Sequence, residues 1–255
     1  MAEILISLGS GCMSAQILDE IGLRKQSLPF DWLWNLDGGL ELVANIINDD
    51  FIDYGNREKL VRGWHYRWNN QVLIHSSYPE IAHIHSDPLA NNEDFLTLLR
   101  RVKRFKELLN GKDKIVFIYF RSFSETNHNK VNEEYCLNVC FERLLKESNE
   151  FVELIKIKYP SLSFKLLSIC LIPRDLNLKK KILKQNLGIQ DKGHLEIEIG
   201  YEEKHIKIYK NLLSNILAHN SWITVFYKKK YIGVSILLIT NIKFIFKSIL
   251  KYKLL

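Results

Sequence analysis

Cys12 occupies the position in this chain that most invites chemistry. It follows an apolar run, Ile4-Leu5-Ile6-Ser7-Leu8, and a small-residue turn, Gly9-Ser10-Gly11, and it precedes Met13-Ser14-Ala15-Gln16-Ile17-Leu18. The first stretch reads as a buried strand and the last as a helix, so the thiol stands at a helix start. Unpaired N–H groups and partial positive charge gather there. Both favour the thiolate, the nucleophilic form of cysteine, and the same N–H groups suit an oxyanion formed during acyl transfer. Two other accounts fit the same residues. A small thiol packs like a hydrophobe in a tight turn, and a Gly9-x-Gly11 pair ahead of a helix suits a phosphate or nucleotide. The dinucleotide fingerprint is incomplete, because Ser14 stands where its third glycine belongs.

Other residues with chemical potential cluster in the first half. His65, His75, His83 and His85 lie close in sequence, yet they show no zinc-site spacing, and no metal is expected. Trp32, Trp34, Trp64 and Trp68, with Tyr54 and Tyr66, suit either a ligand cleft or aromatic packing. Arg100, Arg101 and Arg104 fall on one turn of a helix and read as a solvated face.

These residues need a scaffold, and the hydrophobic pattern supplies one. Strands are expected at 3–9, 71–75, 114–121, 163–172 and 194–199. Helices are expected at 13–22, ending on Gly22, and at 38–49, 93–110, 132–158, 176–186 and 203–218. Residues 51–78 otherwise read as irregular, and 79–92 as a loop holding His83, His85 and Asp87. The run Lys114-Ile115-Val116-Phe117-Ile118-Tyr119-Phe120-Arg121 is nearly continuous in apolar residues, as for a strand covered on both faces. Alternating strands and helices predict an α/β layered domain with a mainly parallel sheet flanked by helices.

At 255 residues the chain can bury a full core. Its four cysteines, Cys12, Cys136, Cys140 and Cys170, form no disulfide framework, so reduced thiols and a cytoplasmic location are expected. The formal charge of +7 is unevenly spread. From Lys204 onward there are ten lysines and no acid, which leaves −3 for residues 1–203. A catalytic-type domain over 1–220 and a basic amphipathic tail over 221–255 follow from this shift. In the tail, Lys243, Lys247 and Lys251 recur every four residues beside Phe244 and Phe246. That pattern fits peripheral contact with an anionic membrane through residues 228–255, at the inner membrane face, or packing on a protein partner. Nucleic acid is not an expected partner, because the aromatic-rich region lies in the acidic body.

Several elements combine into a longer signature: Ser7-Leu8-Gly9-Ser10-Gly11-Cys12, Gly22-Leu23-Arg24, Ser27-Leu28-Pro29-Phe30-Asp31-Trp32, a later His85, and Arg100-Arg101-Val102-Lys103-Arg104-Phe105. This resembles a bacterial family of papain-like cysteine peptidases first catalogued as a domain of unknown function. The resemblance covers residues 3–121 well, and 122–200 only in the rhythm of strands and helices. It implies Cys12 as nucleophile and His85 as its base, with a papain-like α+β arrangement as the alternative fold. A third group must orient the imidazole. Asp31 and Asp87 are the candidates, with Asp31 favoured, and His83 is the rival to His85. Gly9, Ser10, Gly11, Arg24 and Trp32 form the expected ligand-binding set. No cofactor is implied. Hydrolysis or acyl transfer on a peptide, acyl or glycan substrate is the leading expectation. A glycan- or phosphate-binding protein of cell-surface polysaccharide metabolism, held at the membrane by the tail, is the alternative.

Overall fold

The computed structural model describes residues 3–9, 11–35, 39–65, 69–122, 133–172 and 193–201. All of them lie in the compact unit Met1–Ile223. The expected helices over 176–186 and 203–218, and the tail over 221–255, lie outside the described residues.

The core is a four-stranded sheet in the order β1-β5-β6-β7, formed by Glu3–Ser7, Lys114–Ser122, Phe164–Ile172 and Leu195–Tyr201. Every pairing is parallel, with Leu5 opposite Val116, Ile118 opposite Leu167 and Ile169 opposite Glu198. Parallel sheets need cover on both faces. In β5 all six residues from Ile115 to Phe120 are buried, which is why its sequence runs apolar without alternation. Helices α1 (Met13–Glu20), α2 (Gly39–Asn48), α3 (Asn92–Leu109) and α4 (Glu133–Lys158) complete the layers. On α3, Leu98, Val102, Phe105 and Leu109 form the buried stripe. Phe105 meets Phe30 and Phe51 at ring-centroid separations of 5.3 and 5.5 Å, so the Pro29-Phe30-Asp31-Trp32 element is rooted in the core by its phenylalanine.

A second, three-stranded antiparallel sheet departs from the sequence expectation. It comprises β2 (Leu60–His65), β3 (Asn70–His75) and β4 (Tyr78–His83). β3 answers the strand expected at 71–75, whereas β2 lies in the region expected to be irregular, and the expected loop over 79–92 begins inside β4. The alternation that marks a strand is faint here because much of this sheet faces solvent: Trp64 is 62% exposed and Val61 37%. Gly63 also interrupts the pattern. A Cβ there would collide with the Ile74 side chain on the paired strand, so any larger residue needs that side chain to turn aside. The mainly parallel α/β reading therefore holds for the central sheet, with an antiparallel sheet added beside it.

A buried ion pair joins the helical layer to the sheet. Glu147 on α4 accepts a hydrogen bond from the Leu40 amide at the start of α2 (2.9 Å) and faces Arg121 Nη1 at the end of β5 (3.4 Å). A carboxylate at a helix N-terminus answers both the unpaired amide and the helix dipole.

Candidate active site

The turn after β1 is closed by a ring of three hydrogen bonds. The Gly9 amide donates to Ser7 Oγ (3.3 Å), and the Ser14 hydroxyl donates to the Gly9 carbonyl (3.1 Å). Because Ser14 spends its proton there, the 2.5 Å contact between the two hydroxyls has Ser7 as donor. Strand end and first helical turn are thereby clamped together. Gly9 has φ +90°, and a Cβ on it would lie 2.6 Å from Asn35 Oδ1, so this corner demands glycine on two counts. Gly11 also has positive φ, and its amide donates to the Leu33 carbonyl (3.1 Å). Ser10 lies outside the described residues.

Cys12 occupies the N-cap of α1. Its Sγ lies 2.8 Å from His85 Nε2, and Trp34 donates its indole N–H to the same sulfur at 3.3 Å. Burial pushes the thiol above its ordinary value, while the Trp34 donor and the backbone amide of Cys12 pull it back part of the way. The net direction is opposite to the lowering expected from a helix start. Desolvation of a half-buried sulfur outweighs the amide dipoles here.

The chain reaches His85 by leaving β4. His83 is the last residue of that strand, so the two histidines do not share a face as an extended segment would place them. His83 Nε2 is buried without a hydrogen-bond partner, and its ring lies 6.3 Å from that of Tyr54. Burial pushes its pKa down to about 4. His85 is exposed and turned to the sulfur.

Neither candidate carboxylate hydrogen-bonds His85. Asp31 is buried, and its Oδ2 accepts from Arg24 Nε (3.0 Å), Arg24 Nη2 (2.9 Å) and the Leu28 amide (2.9 Å). Burial raises the Asp31 carboxyl, and the Leu28 amide and Arg24 offset only part of that. Arg24 is delivered to this pairing by the turn that ends α1. The Gly22 amide bonds the Asp19 carbonyl and the Leu23 amide bonds the Leu18 carbonyl, the paired bonds of a Schellman cap. The Arg24 guanidinium in turn lies 5.3 Å from the Trp32 ring, which meets the His85 ring edge-on at 5.7 Å. Asp31 therefore stands two side chains away from the imidazole. Asp87 ties down the loop after His85: it pairs with Arg62 on β2 and accepts from the Ala90 amide, while its own amide donates to Asp94.

Of the expected site residues, Gly9, Gly11, Arg24, Asp31, Trp32 and His85 thus gather around Cys12, directly or through one another. Sequence alone does not single out Trp34, Ser7 and Ser14 as site residues. Trp34 stood only as one of several aromatics, and the paired serines flanking the glycines were the available signal for the clamp. The arginine face also departs from expectation. Arg100 pairs with Glu93 on the surface, but Arg101 and Arg104 are half-buried with Nε atoms that lack hydrogen-bond partners. Among the described residues, no three His, Cys, Asp or Glu side chains gather as metal ligands would. Nor is any described helix long and apolar enough to cross a membrane.

Comparison with known proteins gives one short match and one long one. Over 57 residues the chain is 39% identical to "Uncharacterized protein R408" of Acanthamoeba polyphaga mimivirus, covering 22% of this chain and 25% of that protein. The chain thus spans about a quarter of that relative's length. No solved structure matches. A family model matches residues 3–157, a span that contains Cys12, Arg24, Asp31, Trp32, Trp34 and His85. On that match, the chain belongs to the family described as "Putative papain-like cysteine peptidase (DUF1796)".

Proposed function

We propose that this protein is a thiol hydrolase or acyl transferase in which Cys12 is the nucleophile and His85 the general base. The observation that carries this reading is the 2.8 Å separation of Cys12 Sγ from His85 Nε2. That contact is within reach for direct proton transfer. Histidine is the side chain suited to hold a proton transiently near neutral pH. The thiol proton passes to Nε2 as sulfur attacks an acyl carbon. The imidazolium then returns the proton to the departing amine or alcohol, leaving a thioester. Water or another acceptor, deprotonated by His85, cleaves the thioester and restores the thiol. The first-turn amides of α1, unpaired within the helix, supply donors for the tetrahedral oxyanion.

Burial raises the thiol, so few molecules carry thiolate at neutral pH without a proton acceptor. His85 is the group placed to supply one. Asp31, through Arg24 and Trp32, acts as a positioning residue that holds the edge-on support of the imidazole. The substrate side of the site is formed by Gly9, Gly11 and the Trp32 ring.

The test is alkylation of the intact protein with iodoacetamide at pH 7, with the modified residue located by mass spectrometry. Cys12 should react faster than the buried Cys140 and Cys170, and His85→Ala should slow it by about a hundredfold or more, the lower end of what general-base assistance contributes. A Cys12 that reacts no faster than a small free thiol, or a His85→Ala variant that labels at the unchanged rate, overturns the assignment.

A further inference from the structure

The loop 32–34 does more than supply aromatic surface. Two main-chain pairings hold it, one to the turn that carries the nucleophile and one to β4. The Leu33 carbonyl accepts from the Gly11 amide (3.1 Å), and the Trp34 carbonyl accepts from the Ala82 amide (3.0 Å). Trp34 and Ala82 form an isolated antiparallel bridge, which adds this segment to the edge of β4. The same strand thus positions Trp34 through Ala82 and leads into His85 three residues later. Gly11 lies directly beneath the indole, since a Cβ built on it would be in ordinary contact with Trp34 Cε2 at 3.9 Å. The outcome is an indole N–H aimed at Cys12 Sγ from 3.3 Å, while His85 approaches the same sulfur at 2.8 Å.

We propose that Trp34 is a catalytic residue that donates its indole N–H to the Cys12 thiolate. This deepens the reading of Cys12 as a nucleophile and rests on it. Indole nitrogen is a donor only and cannot accept the thiol proton. Its bond to sulfur therefore strengthens when sulfur becomes anionic, as charge-assisted bonds do. His85 and Trp34 divide the work: one removes the proton and the other holds the charge left behind. Among the described residues no carboxylate hydrogen-bonds His85, whereas the sulfur has a donor of its own in Trp34. When the thioester forms, sulfur becomes neutral and the bond weakens, so the donor stabilises the attacking state without retaining the acyl intermediate.

Loss of the indole donor leaves a signature that damage to the fold does not produce. Removing a donor raises the thiol pKa, which lowers the thiolate fraction at neutral pH. The more basic thiolate is also the better nucleophile, with a Brønsted slope near 0.4–0.5. For a shift of about one pKa unit, iodoacetamide alkylation should slow about threefold to fourfold at pH 7 and quicken about threefold on the alkaline plateau. The two pH–rate profiles should cross. Trp34→Phe is the first variant, since it keeps an aromatic ring and loses the N–H. Replacement of Trp34 by benzothienylalanine, which exchanges the N–H for sulfur in a ring of the same shape, is the second and guards against loss of packing. Trp34→His, which retains a ring N–H, should recover part of the neutral-pH rate. Crossing profiles for both donor-free variants support the role. Profiles that coincide with wild type, or that fall at every pH, overturn it. A wild-type Cys12 that is unreactive throughout would instead overturn the nucleophile reading itself, so the two failures are distinct.

Discussion

His83 and His85 are two residues apart and answer to different physics, and acid titration should separate them. Burial, with a smaller push from His75 and an opposing pull from Asp87, holds His83 down to about 4. In the unfolded chain its pKa returns to about 6.5. Below pH 6.5 the unfolded state takes up a proton that the folded state refuses until about pH 4. Stability contributed by neutral His83 is therefore complete above pH 6.5 and is lost as pH falls toward 4. Two and a half units at about 1.4 kcal/mol each make the full loss about 3.5 kcal/mol, of which about 2 kcal/mol falls between pH 7 and pH 5. That is a large share of a typical folding stability of about 5–15 kcal/mol. The assay is urea unfolding of wild type and His83→Leu at pH 7, 6 and 5. Wild type should lose about 2 kcal/mol more than the variant over this span. His75, also lowered by burial, adds a slope to both proteins that largely cancels in the comparison. The iodoacetamide rate at Cys12, measured at pH 7, should be unchanged in His83→Leu, because His83 does not contact the sulfur. Parallel pH–stability curves for the two proteins would refute the burial argument. A His83→Leu variant that loses Cys12 reactivity while His85→Ala keeps it would refute the assignment of the two rings.

Other consequences follow from the packing around the site. Gly9→Ala puts a Cβ 2.6 Å from Asn35 Oδ1 at φ +90°. It should cost about 1–3 kcal/mol in urea unfolding and slow Cys12 alkylation, whereas Gly22→Ala, with nothing within 4 Å, should leave the alkylation rate alone. Glu147→Ala strands the buried Arg121 guanidinium and the Leu40 amide. A loss of about 3–5 kcal/mol is expected by the same measurement, and Glu147→Gln, which can still accept from the amide, should lose less. Asp31→Asn keeps an acceptor for the Leu28 amide but gives up the charge that holds Arg24. It should cost about 1.5–3 kcal/mol and slow Cys12 alkylation by releasing the support under Trp32, with the rate at saturating pH as the check.

Much of this fold is written locally. The apolar run before Gly9 and the unbroken run from Ile115 to Phe120 announce strands buried on both faces, and Gly22 announces the cap that ends α1, because each depends on the residues immediately around it. The setting of Cys12 is legible to the same depth: two glycines able to take positive φ, then a thiol at a helix start. What lay beyond local pattern was which side chains meet. Cys12 and His85 are 73 residues apart in the chain, and their contact is made by pairing Trp34 with Ala82, a single bridge that no periodicity reports. The choice of His85 over His83 turns on β4 ending at His83, and a weak, half-exposed strand hides its own end. Asp31 pairs with Arg24 rather than with an imidazole because a buried carboxylate takes the guanidinium that the α1 cap delivers to it. Local sequence set the residues that can react, since propensity and turn chemistry act over a few positions. Long-range strand pairing and desolvation decided which of them meet.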